Sequence, residues 1–356
     1  ASSALKGQTV HAQPARQPGK RPMALVIGAA GAVGKRLIGA LAARGENVIA
    51  ALRSTPLPDH LQTNVARQYM NVDQGNIDAL RKIFKRNPDI HTVWNMQVVR
   101  ARAADAGTTV GGMKNILQVM RETGTEKMIF ADSIASFGAN APREDAPAKW
   151  LTEHTKEDPG SEIGRQKQEC RHLLSEFSKE GGDGRFAVTP GVLHVEGVWG
   201  AGLTSYPLDA IFSAVEGLPY ECPIDKDCKL PFIHVDDLVR GLLDLADAPQ
   251  NMLYEPEKGY CIPGFSCSPE ELFEEIRKTI PEFEHVESIK KDLNELAHFW
   301  PHSVSCKEAA RDLGFRPAFG LEQTAQRILR AHRARRMPRA VTAEASSIGM
   351  PKLYQD

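Results

Sequence analysis

The chain has 356 residues, which is long enough for one large α/β domain or two ordinary domains. Its residues are 42% hydrophobic and 25% charged, with a formal net charge of −1, which is the composition of a soluble globular protein. The near-neutral charge argues against broad nucleic-acid binding, and no apolar run approaches the roughly 18 residues of a transmembrane helix.

An acid-poor arm occupies residues 1–22. It carries basic residues such as Lys6, Arg16 and Arg21, whereas the first acidic residue of the chain is Glu46. Basic, acid-poor leaders with serine are typical of organelle transit peptides, so we expect the arm to be the remnant of one. This interpretation predicts a mitochondrial protein, with a plastid as the alternative. A solvated arm or an expression remnant would explain the same composition.

From Ala24 onward, short apolar runs alternate with amphipathic stretches, which is typical of βαβ units around a parallel sheet. The pattern predicts an α/β fold, a Rossmann-type doubly wound parallel sheet over residues 23–190. The predicted strands are 24–27, 47–52, 68–72, 92–96, 127–132 and 185–189. The predicted helices are 35–44, 76–85, 108–122 and 164–179.

After Pro190 this alternation weakens, and loops rich in glycine and proline surround isolated helices. We expect residues 191–330 to form a smaller C-terminal substrate lobe that closes over the strand ends, where open α/β sheets bind ligands. A return of the chain to the main sheet near 229–246 is a further option. The predicted helices of this lobe are 208–216, 235–246, 269–279 and 307–313.

Six arginines crowd the segment from Arg327 to Arg339, and residues 331–356 are predicted as a basic and polar tail. So many cations in a short stretch could bind phosphates, anionic lipid or an acidic protein surface. They could equally be solvated residues at the C-terminus of a last helix, where cations are favourable. The first interpretation predicts contact with other protein subunits through this segment and the N-terminal arm.

Six cysteines lie between residues 170 and 306, at positions 170, 222, 228, 261, 267 and 306. Their spacing fits no common zinc or iron–sulfur ligand pattern. We therefore expect reduced structural cysteines and no metal site.

A glycine fingerprint follows the first predicted strand and opens the first helix. Gly28, Gly31 and Gly34 are each three residues apart. Glycines in this context allow a tight turn, close approach of a pyrophosphate and tight helix–strand packing, and the helix N-terminus favours the negative charge. The segment is predicted to bind a dinucleotide.

Motifs farther along the chain carry a resemblance to a known family. They are Asp132-Ser-Ile-Ala-Ser-Phe-Gly138, Pro190-Gly191, Leu230-Pro-Phe-Ile-His-Val-Asp-Asp237 and Ala310-Arg-Asp-Leu-Gly-Phe315. The chain resembles the extended short-chain dehydrogenases/reductases, the NAD-dependent epimerase/dehydratase family. It looks most like the short-chain type of L-threonine 3-dehydrogenase and is more distantly similar to UDP-galactose 4-epimerase. The resemblance runs from Met23 to Arg330 and implies an NAD(P) cofactor.

The resemblance also implies that a tyrosine, a lysine and a serine carry the proton transfer. Ser133 and Lys167 match the serine and the lysine, whereas Ile163 stands where the family has the tyrosine of Tyr-x-x-x-Lys. Isoleucine has no proton to give or accept, and loss of a positioned acid/base removes about 10²–10⁴-fold in rate. His154 or Glu162 could substitute only by proximity.

Other positions concern the dinucleotide. The second strand ends in Ala51-Leu-Arg53 rather than in the aspartate that binds an NAD ribose, so NADP is favoured over NAD. By the resemblance, Asp73 contacts adenine and Pro190 lies in the cofactor loop after the sixth strand. Asp73 could also be an ordinary strand-end cap. Gln97 and the valine after it would crowd the nicotinamide half, or simply belong to a repacked core.

The missing tyrosine, the missing aspartate and the two unusual ends favour a catalytically degenerate member of the family. On this hypothesis the protein is a non-catalytic accessory subunit of an organellar complex, and its site holds NADP or NAD or stands empty. The alternative is an active NAD(P)-dependent oxidoreductase of the L-threonine 3-dehydrogenase type with a relocated acid/base. A third hypothesis is a regulator whose partner responds to nucleotide occupancy.

Overall fold

A computed structural model describes residues 21–97, 106–138, 140–141, 150–195, 203–253, 255 and 259–336. The strands are β1 (Met23–Ile27), β2 (Asn47–Ala51), β3 (Arg67–Tyr69), β4 (Ile90–Asn95), β5 (Lys127–Ala131), β6 (Asp183–Val188), β7 (Gly191–Leu193), β8 (Tyr220–Cys222), β9 (Leu230–His234), β10 (Tyr260–Cys261), β11 (Phe265–Cys267) and β12 (His285–Glu287). The helices are α1 (Ala32–Ala43), α2 (Asp59–Gln62), α3 (Ile77–Arg86), α4 (Ala106–Thr123), α5 (Glu162–Lys179), α6 (Tyr206–Glu216), α7 (Val235–Asp247), α8 (Pro269–Arg277), α9 (Lys291–Phe299), α10 (Lys307–Asp312) and α11 (Leu321–Arg336).

Seven strands form one sheet in the order β10-β6-β5-β4-β1-β2-β3, and its pairings are all parallel. This order extends the doubly wound Rossmann arrangement by one edge strand, so the predicted fold class is confirmed. The carboxyl ends of the strands meet at one edge. The winding reverses between β1 and β4, and the crevice at such a reversal is where open α/β sheets bind ligands.

Both faces of this sheet are covered by helices, as expected for parallel strands with continuous apolar runs. On β1, Ala24 and Val26 belong to the core under α1 and α7, whereas Leu25 and Ile27 belong to the opposite core. On that opposite side, α4 packs between α3 and α5. The side chains of β1 alternate between the two cores because successive residues of a strand point to opposite faces.

The C-terminal lobe contains two small sheets and the helices around them. In one sheet β9 lies between β7 and β11, and in the other β8 pairs with β12. α6, α8 and α11 pack on one another. Their apolar side chains join a core that includes Tyr206, Phe232 and Phe273.

Near residues 229–246, where a return of the chain to the main sheet is an option, a helix lies on a face of that sheet. α7 packs against α1 and β6. β9, directly before it, pairs with β7 and β11. The strand that joins the main sheet is β10, which pairs with β6.

The end of the described chain is a helix rather than a tail. α11 runs from Leu321 to Arg336, so the predicted boundary at residue 330 falls inside it. Ile328, Leu329 and His332 on this helix are buried, and the ring of His332 lies 3.9 Å from that of Phe212. Residues 1–20 and 337–356, which contain most of the predicted arm and tail, lie outside the described residues.

Candidate functional site

The glycine turn after β1 leaves no room for side chains. Gly28 has φ of +80°, and a Cβ there would lie 2.8 Å from the backbone of Met96. A Cβ on Gly34 would lie 2.3 Å from the carbonyl oxygen of Gly28. Gly31 donates its N–H to that same oxygen at 3.0 Å and then serves as the N-cap of α1 without a side-chain cap. The turn therefore has the close backbone packing that a pyrophosphate-binding βα turn requires.

The end of β2 carries no carboxylate. Ala51 and Leu52 are buried, and Arg53 is the first exposed side chain after the strand. The carbonyl oxygen of Arg53 accepts the N–H of Asn71 at 3.1 Å, which ties the segment to the end of β3. The first exposed side chain after β2 is therefore a cation, and its role toward a 2′-phosphate stays a prediction.

Asp73 closes its own turn after β3. Its carboxylate accepts the N–H of Gly75 at 2.8 Å, and its carbonyl oxygen accepts the N–H of Asn76 at 2.9 Å. This is the local cap that the sequence offered as the alternative to adenine contact. The predicted contact with adenine stays a prediction.

The end of β4 lies against both the glycine turn and the candidate lysine. A Cβ on Gly28 would lie 3.0 Å from the N atom of Gln97. The carbonyl oxygen of Gln97 lies 3.5 Å from the Nζ of Lys167. Gln97 is half-buried at this junction, and Val98 lies outside the described residues.

Ser133 follows β5 and caps a 3₁₀ turn, Ile134–Ser136. Its Oγ accepts the N–H of Ala135 at 3.2 Å, so one acceptor position of the hydroxyl is used locally. The turn is joined to the loop after β6, because Ile134 donates its N–H to the carbonyl oxygen of Thr189 at 3.0 Å. The structure thus brings Ser133 beside the Thr189–Pro190 loop, as the resemblance implies for its site.

Lys167 is buried on α5 with its ammonium at the end of β5. Its Nζ donates to the carbonyl oxygen of Ala131 at 2.5 Å and lies 4.5 Å from the centre of the Phe130 ring. Burial lowers the pKa of Lys167, and the nearby Asp132 carboxylate acts in the opposite direction. Lys167, Gln97 and the Ser133 turn therefore meet at the carboxyl ends of β4 and β5.

Ile163 lies one helical turn before Lys167, on the same face of α5. It is half-buried, and the neighbouring Gly164 packs so closely on the 3₁₀ turn that a Cβ there would lie 2.0 Å from the carbonyl oxygen of Ala135. The first turn of α5 is thereby fixed beside Ser133. The side chain that the helix presents one turn before Lys167 is an aliphatic one.

A buried ion pair behind these residues was not predicted. The guanidinium of Arg171, one turn beyond Lys167, lies 2.7 Å from the Asp132 carboxylate, with 3% and 0% of the two side chains exposed. Glu157 also contacts Arg171, whose guanidinium lies 4.8 Å from the centre of the Phe186 ring. Burial alone would lower the pKa of Arg171, but the two carboxylates hold it above its usual value.

Phe299, a residue of the C-terminal lobe, contacts the segments next to the candidate site. A Cβ on Gly138 would lie 2.0 Å from its ring, and a Cβ on Gly160 would lie 2.2 Å from it. Phe299 is the last residue of α9, a helix absent from the sequence prediction. Its ring therefore packs over the segments that follow Ser133 and precede Ile163.

The other hydroxyl and acid/base candidates are engaged elsewhere. Among the described tyrosines, Tyr260 donates to Asp312 at 2.8 Å and Tyr69 accepts from Asn87 at 2.9 Å. Tyr206 and Tyr220 pack on phenylalanines of the C-terminal lobe.

The two polar substitutes for the tyrosine are likewise paired. His154 lies 3.5 Å from the carboxylate of Glu255. Glu162 accepts from Arg165 at 3.0 Å and from Gln166 at 3.1 Å, both on its own helix. The side chains of His154 and Glu162 therefore contact other residues in this structure.

Part of the arginine cluster belongs to the fold. Arg327 lies 3.1 Å from Asp236, which also binds Arg36 on α1. Arg333 donates to the carbonyl oxygen of Thr279 at 3.3 Å, whereas Arg330 is exposed. Within the described residues, every helix is too short or too polar to cross a membrane.

Residues 24–255 match the model of the NAD dependent epimerase/dehydratase family. The chain belongs to that family. The predicted resemblance is therefore confirmed, and membership of an NAD-dependent family implies NAD(P) binding.

Curated relatives of this chain include an L-threonine 3-dehydrogenase and an uncharacterized epimerase/dehydratase. The mitochondrial L-threonine 3-dehydrogenase of Sus scrofa is 26% identical over 325 residues, covering 88% of this chain and 83% of the pig protein. An uncharacterized epimerase/dehydratase of Staphylococcus haemolyticus is 26% identical, covering 86% of this chain and 96% of that protein.

Solved structures of L-threonine dehydrogenases are similar to this chain in fold. A partial consensus L-threonine 3-dehydrogenase is 26% identical, with a TM-score of 0.79 over 88% of this chain and 100% of that one. The holo form of a GalE-like L-threonine dehydrogenase from Cupriavidus necator is 26% identical, with a TM-score of 0.78 over 87% and 99%. The chain is thus threonine-dehydrogenase-like in fold along most of its length.

Proposed function

We propose that this protein is a catalytically degenerate member of its family, which binds a nicotinamide dinucleotide but does not carry out the dehydrogenase proton transfer. The observation behind this proposal is Ile163, one turn before the buried Lys167 on α5. In the family pattern that position belongs to the tyrosine of Tyr-x-x-x-Lys.

The chemistry explains why one side chain matters so much. Oxidation of an alcohol by a nicotinamide needs a group that takes the hydroxyl proton while the hydride leaves. Ile163 offers no such group, and Ser133 uses its Oγ to cap the turn beside it. Lys167 directs its ammonium to the carbonyl oxygen of Ala131. Loss of the acid/base alone is worth about 10²–10⁴-fold in rate.

The residues of the glycine turn fit a dinucleotide. Gly28 and Gly34 have no space for a Cβ, and the first turn of α1 contains no acidic residue that would repel a phosphate. Arg53, exposed at the end of β2, is suited to a 2′-phosphate, so we propose NADP over NAD. When bound, the cofactor supplies the nicotinamide ring that accepts or donates hydride.

The biological role that fits a degenerate enzyme is that of an accessory subunit. We propose contact with other protein subunits through the N-terminal arm and the Arg327–Arg339 segment, with anionic lipid as a second target. Arg330 is an exposed member of that segment. The mitochondrial relatives favour a mitochondrial location over a plastid.

An active oxidoreductase is the second candidate, because Ser133 and Lys167 are both present at the strand ends. Fluorescence titration of the purified full-length protein with NADPH and NADH, followed by turnover assays with L-threonine and other hydroxy acids, separates the two. We expect saturable binding and no turnover above background. Robust turnover would overturn the degenerate assignment, and lack of binding would overturn the dinucleotide assignment.

The subunit role needs its own test. We expect the full-length protein to co-purify with a larger assembly. Substitution of the exposed Arg330 by glutamate, together with removal of residues 337–356, should weaken that association. A full-length protein that runs alone as a monomer or homodimer in native extracts would contradict the role.

A further inference from the structure

Three metal-donor side chains meet in the C-terminal lobe, away from the glycine turn. The thiol of Cys228 and one ring nitrogen each from His298 and His302 all lie within 4.8 Å of one another. Tetrahedral zinc with thiolate and imidazole ligands holds such atoms about 3.3–3.6 Å apart. Modest side-chain adjustments would bring the three donors to coordination distance, and about 50% of the His298 side chain is exposed.

The three residues come from segments that pack together for other reasons. Cys228 lies in the loop between β8 and β9, and His298 lies in the last turn of α9. Trp300, buried directly after α9, belongs to the same core as Cys228. The two histidines therefore flank a residue that is buried in that core.

A carboxylate already orients one of the histidines. The Nε2 of His298 lies 2.6 Å from the Asp225 carboxylate, which also accepts from Asn294 at 2.9 Å. Asp225 and Cys228 share a turn, because the N–H of Cys228 donates to the carbonyl oxygen of Asp225 at 3.0 Å. A histidine whose second nitrogen binds a carboxylate is the usual outer arrangement of a protein zinc ligand. In such an arrangement the metal would bind the other ring nitrogen of His298, Nδ1.

We propose that Cys228, His298 and His302 form a zinc site, with Asp225 as the carboxylate that orients His298 and water as the fourth ligand. Thiolate and imidazole together favour Zn²⁺ over Mg²⁺ or Ca²⁺, which prefer oxygen ligands. The spacing of the cysteines along the chain gave no sign of it, since two of the three ligands are histidines distant in sequence from Cys228.

The proposed site has a structural consequence for the candidate active site. Phe299 lies between the two histidines in sequence, and its ring packs on Gly138 and Gly160. A metal bound by His298 and His302 would fix this segment to the Cys228 loop. It would thereby hold Phe299 over the segments that flank Ser133 and Ile163.

Cobalt is the probe for the test. Full-length protein treated with a chelator and then titrated with Co²⁺ should bind one equivalent, with thiolate-to-metal absorption in the near ultraviolet and the strong visible bands of tetrahedral Co²⁺. One equivalent of Zn²⁺ should displace it. Cys228→Ser and His302→Gln should each weaken binding at least tenfold, and Cys228→Ser should remove the thiolate band.

Cys306→Ser is the matched control, since Cys306 is a half-buried thiol outside the cluster. It should bind Co²⁺ as the wild type does. Asp225→Asn should weaken binding about 10–100-fold while keeping the thiolate band, as expected for an orienting group. Circular dichroism verifies folding, and if Cys228→Ser is unfolded, His302→Gln decides. A Co²⁺ spectrum without thiolate absorption, or wild-type affinity in a folded His302→Gln variant, would overturn the site.

Discussion

Ile163 lies one helical turn before Lys167 on α5, and the Nζ of Lys167 lies 2.5 Å from the carbonyl oxygen of Ala131. The helix therefore presents a buried amine and an aliphatic side chain on one face, next to the turn of Ser133. An amine at this place could lower the pKa of a neighbouring phenol, but the position one turn earlier has no titratable group.

Ile163→Tyr should confer activity if the rest of the pocket is intact. We expect NAD(P)-dependent oxidation of L-threonine to increase at least about 100-fold over wild type, since a positioned acid/base contributes that much or more. Ile163→Phe is the control, because it adds the ring without the hydroxyl. Equal activity in the tyrosine and phenylalanine variants would show that restoring the phenol alone does not restore the site.

Arg53→Ala should change the choice of dinucleotide. Loss of a charge-assisted hydrogen bond to the 2′-phosphate is worth about 1.5–3 kcal/mol, so NADPH affinity should decrease about tenfold or more. NADH affinity should stay within about twofold. Fluorescence titration measures both, and Arg330→Ala, an exposed arginine on α11, serves as the control. A parallel loss for both dinucleotides would contradict the assigned role of Arg53.

Arg171→Ala should strongly destabilise the fold. The substitution leaves the Asp132 carboxylate buried without its cation, which typically costs about 3–5 kcal/mol in the free energy of unfolding. Urea denaturation measures the change. Arg165→Ala removes an exposed partner of Glu162 on the same helix and should alter the free energy by less than about 1 kcal/mol. Similar effects of the two substitutions would contradict a structural role for the buried pair.

Glu153 should make stability depend on pH. Burial, together with the neighbouring Glu308 carboxylate, raises the pKa of Glu153 to about 7. The folded state therefore binds the proton more tightly than the unfolded chain, and the resulting stability is present at low pH and lost as pH increases toward about 7. Over that window wild type should lose on the order of 3 kcal/mol relative to Glu153→Gln.

Urea denaturation at several pH values checks this difference between the two proteins. Glu282→Gln, at an exposed position, should follow the pH dependence of wild type. The same pH dependence in Glu153→Gln and wild type would contradict the prediction, because the carboxyl group of Glu153 would then titrate normally in the folded state.

Much of the site could be predicted because its residues follow strand ends. Gly28, Ser133 and Pro190 come directly after buried apolar strands, and the carboxyl ends of parallel strands meet at one edge of the sheet. Lys167 lies on the face of a helix whose periodicity is visible in the sequence. These positions depend on local pattern and on the topology of one fold.

Elements with weak local patterns were missed. β10 has two residues, too few to show alternation, and joins the main sheet only through its pairing with β6. α9 and α11 are polar helices whose few apolar residues gain their stability from the C-terminal lobe around them. Propensity alone does not specify such helices, because tertiary packing supplies most of their stability.

The sequence by itself determined the Rossmann sheet, the glycine turn and the aliphatic residue one turn before Lys167, because each depends on residues within one strand–helix unit. Tertiary structure alone decided that Asp132 and Arg171 form a buried pair, that Phe299 covers the site, and that Cys228 meets two histidines. These contacts join segments distant along the chain. Burial and the distance between donor atoms arise only when those segments pack together, so no local pattern records them.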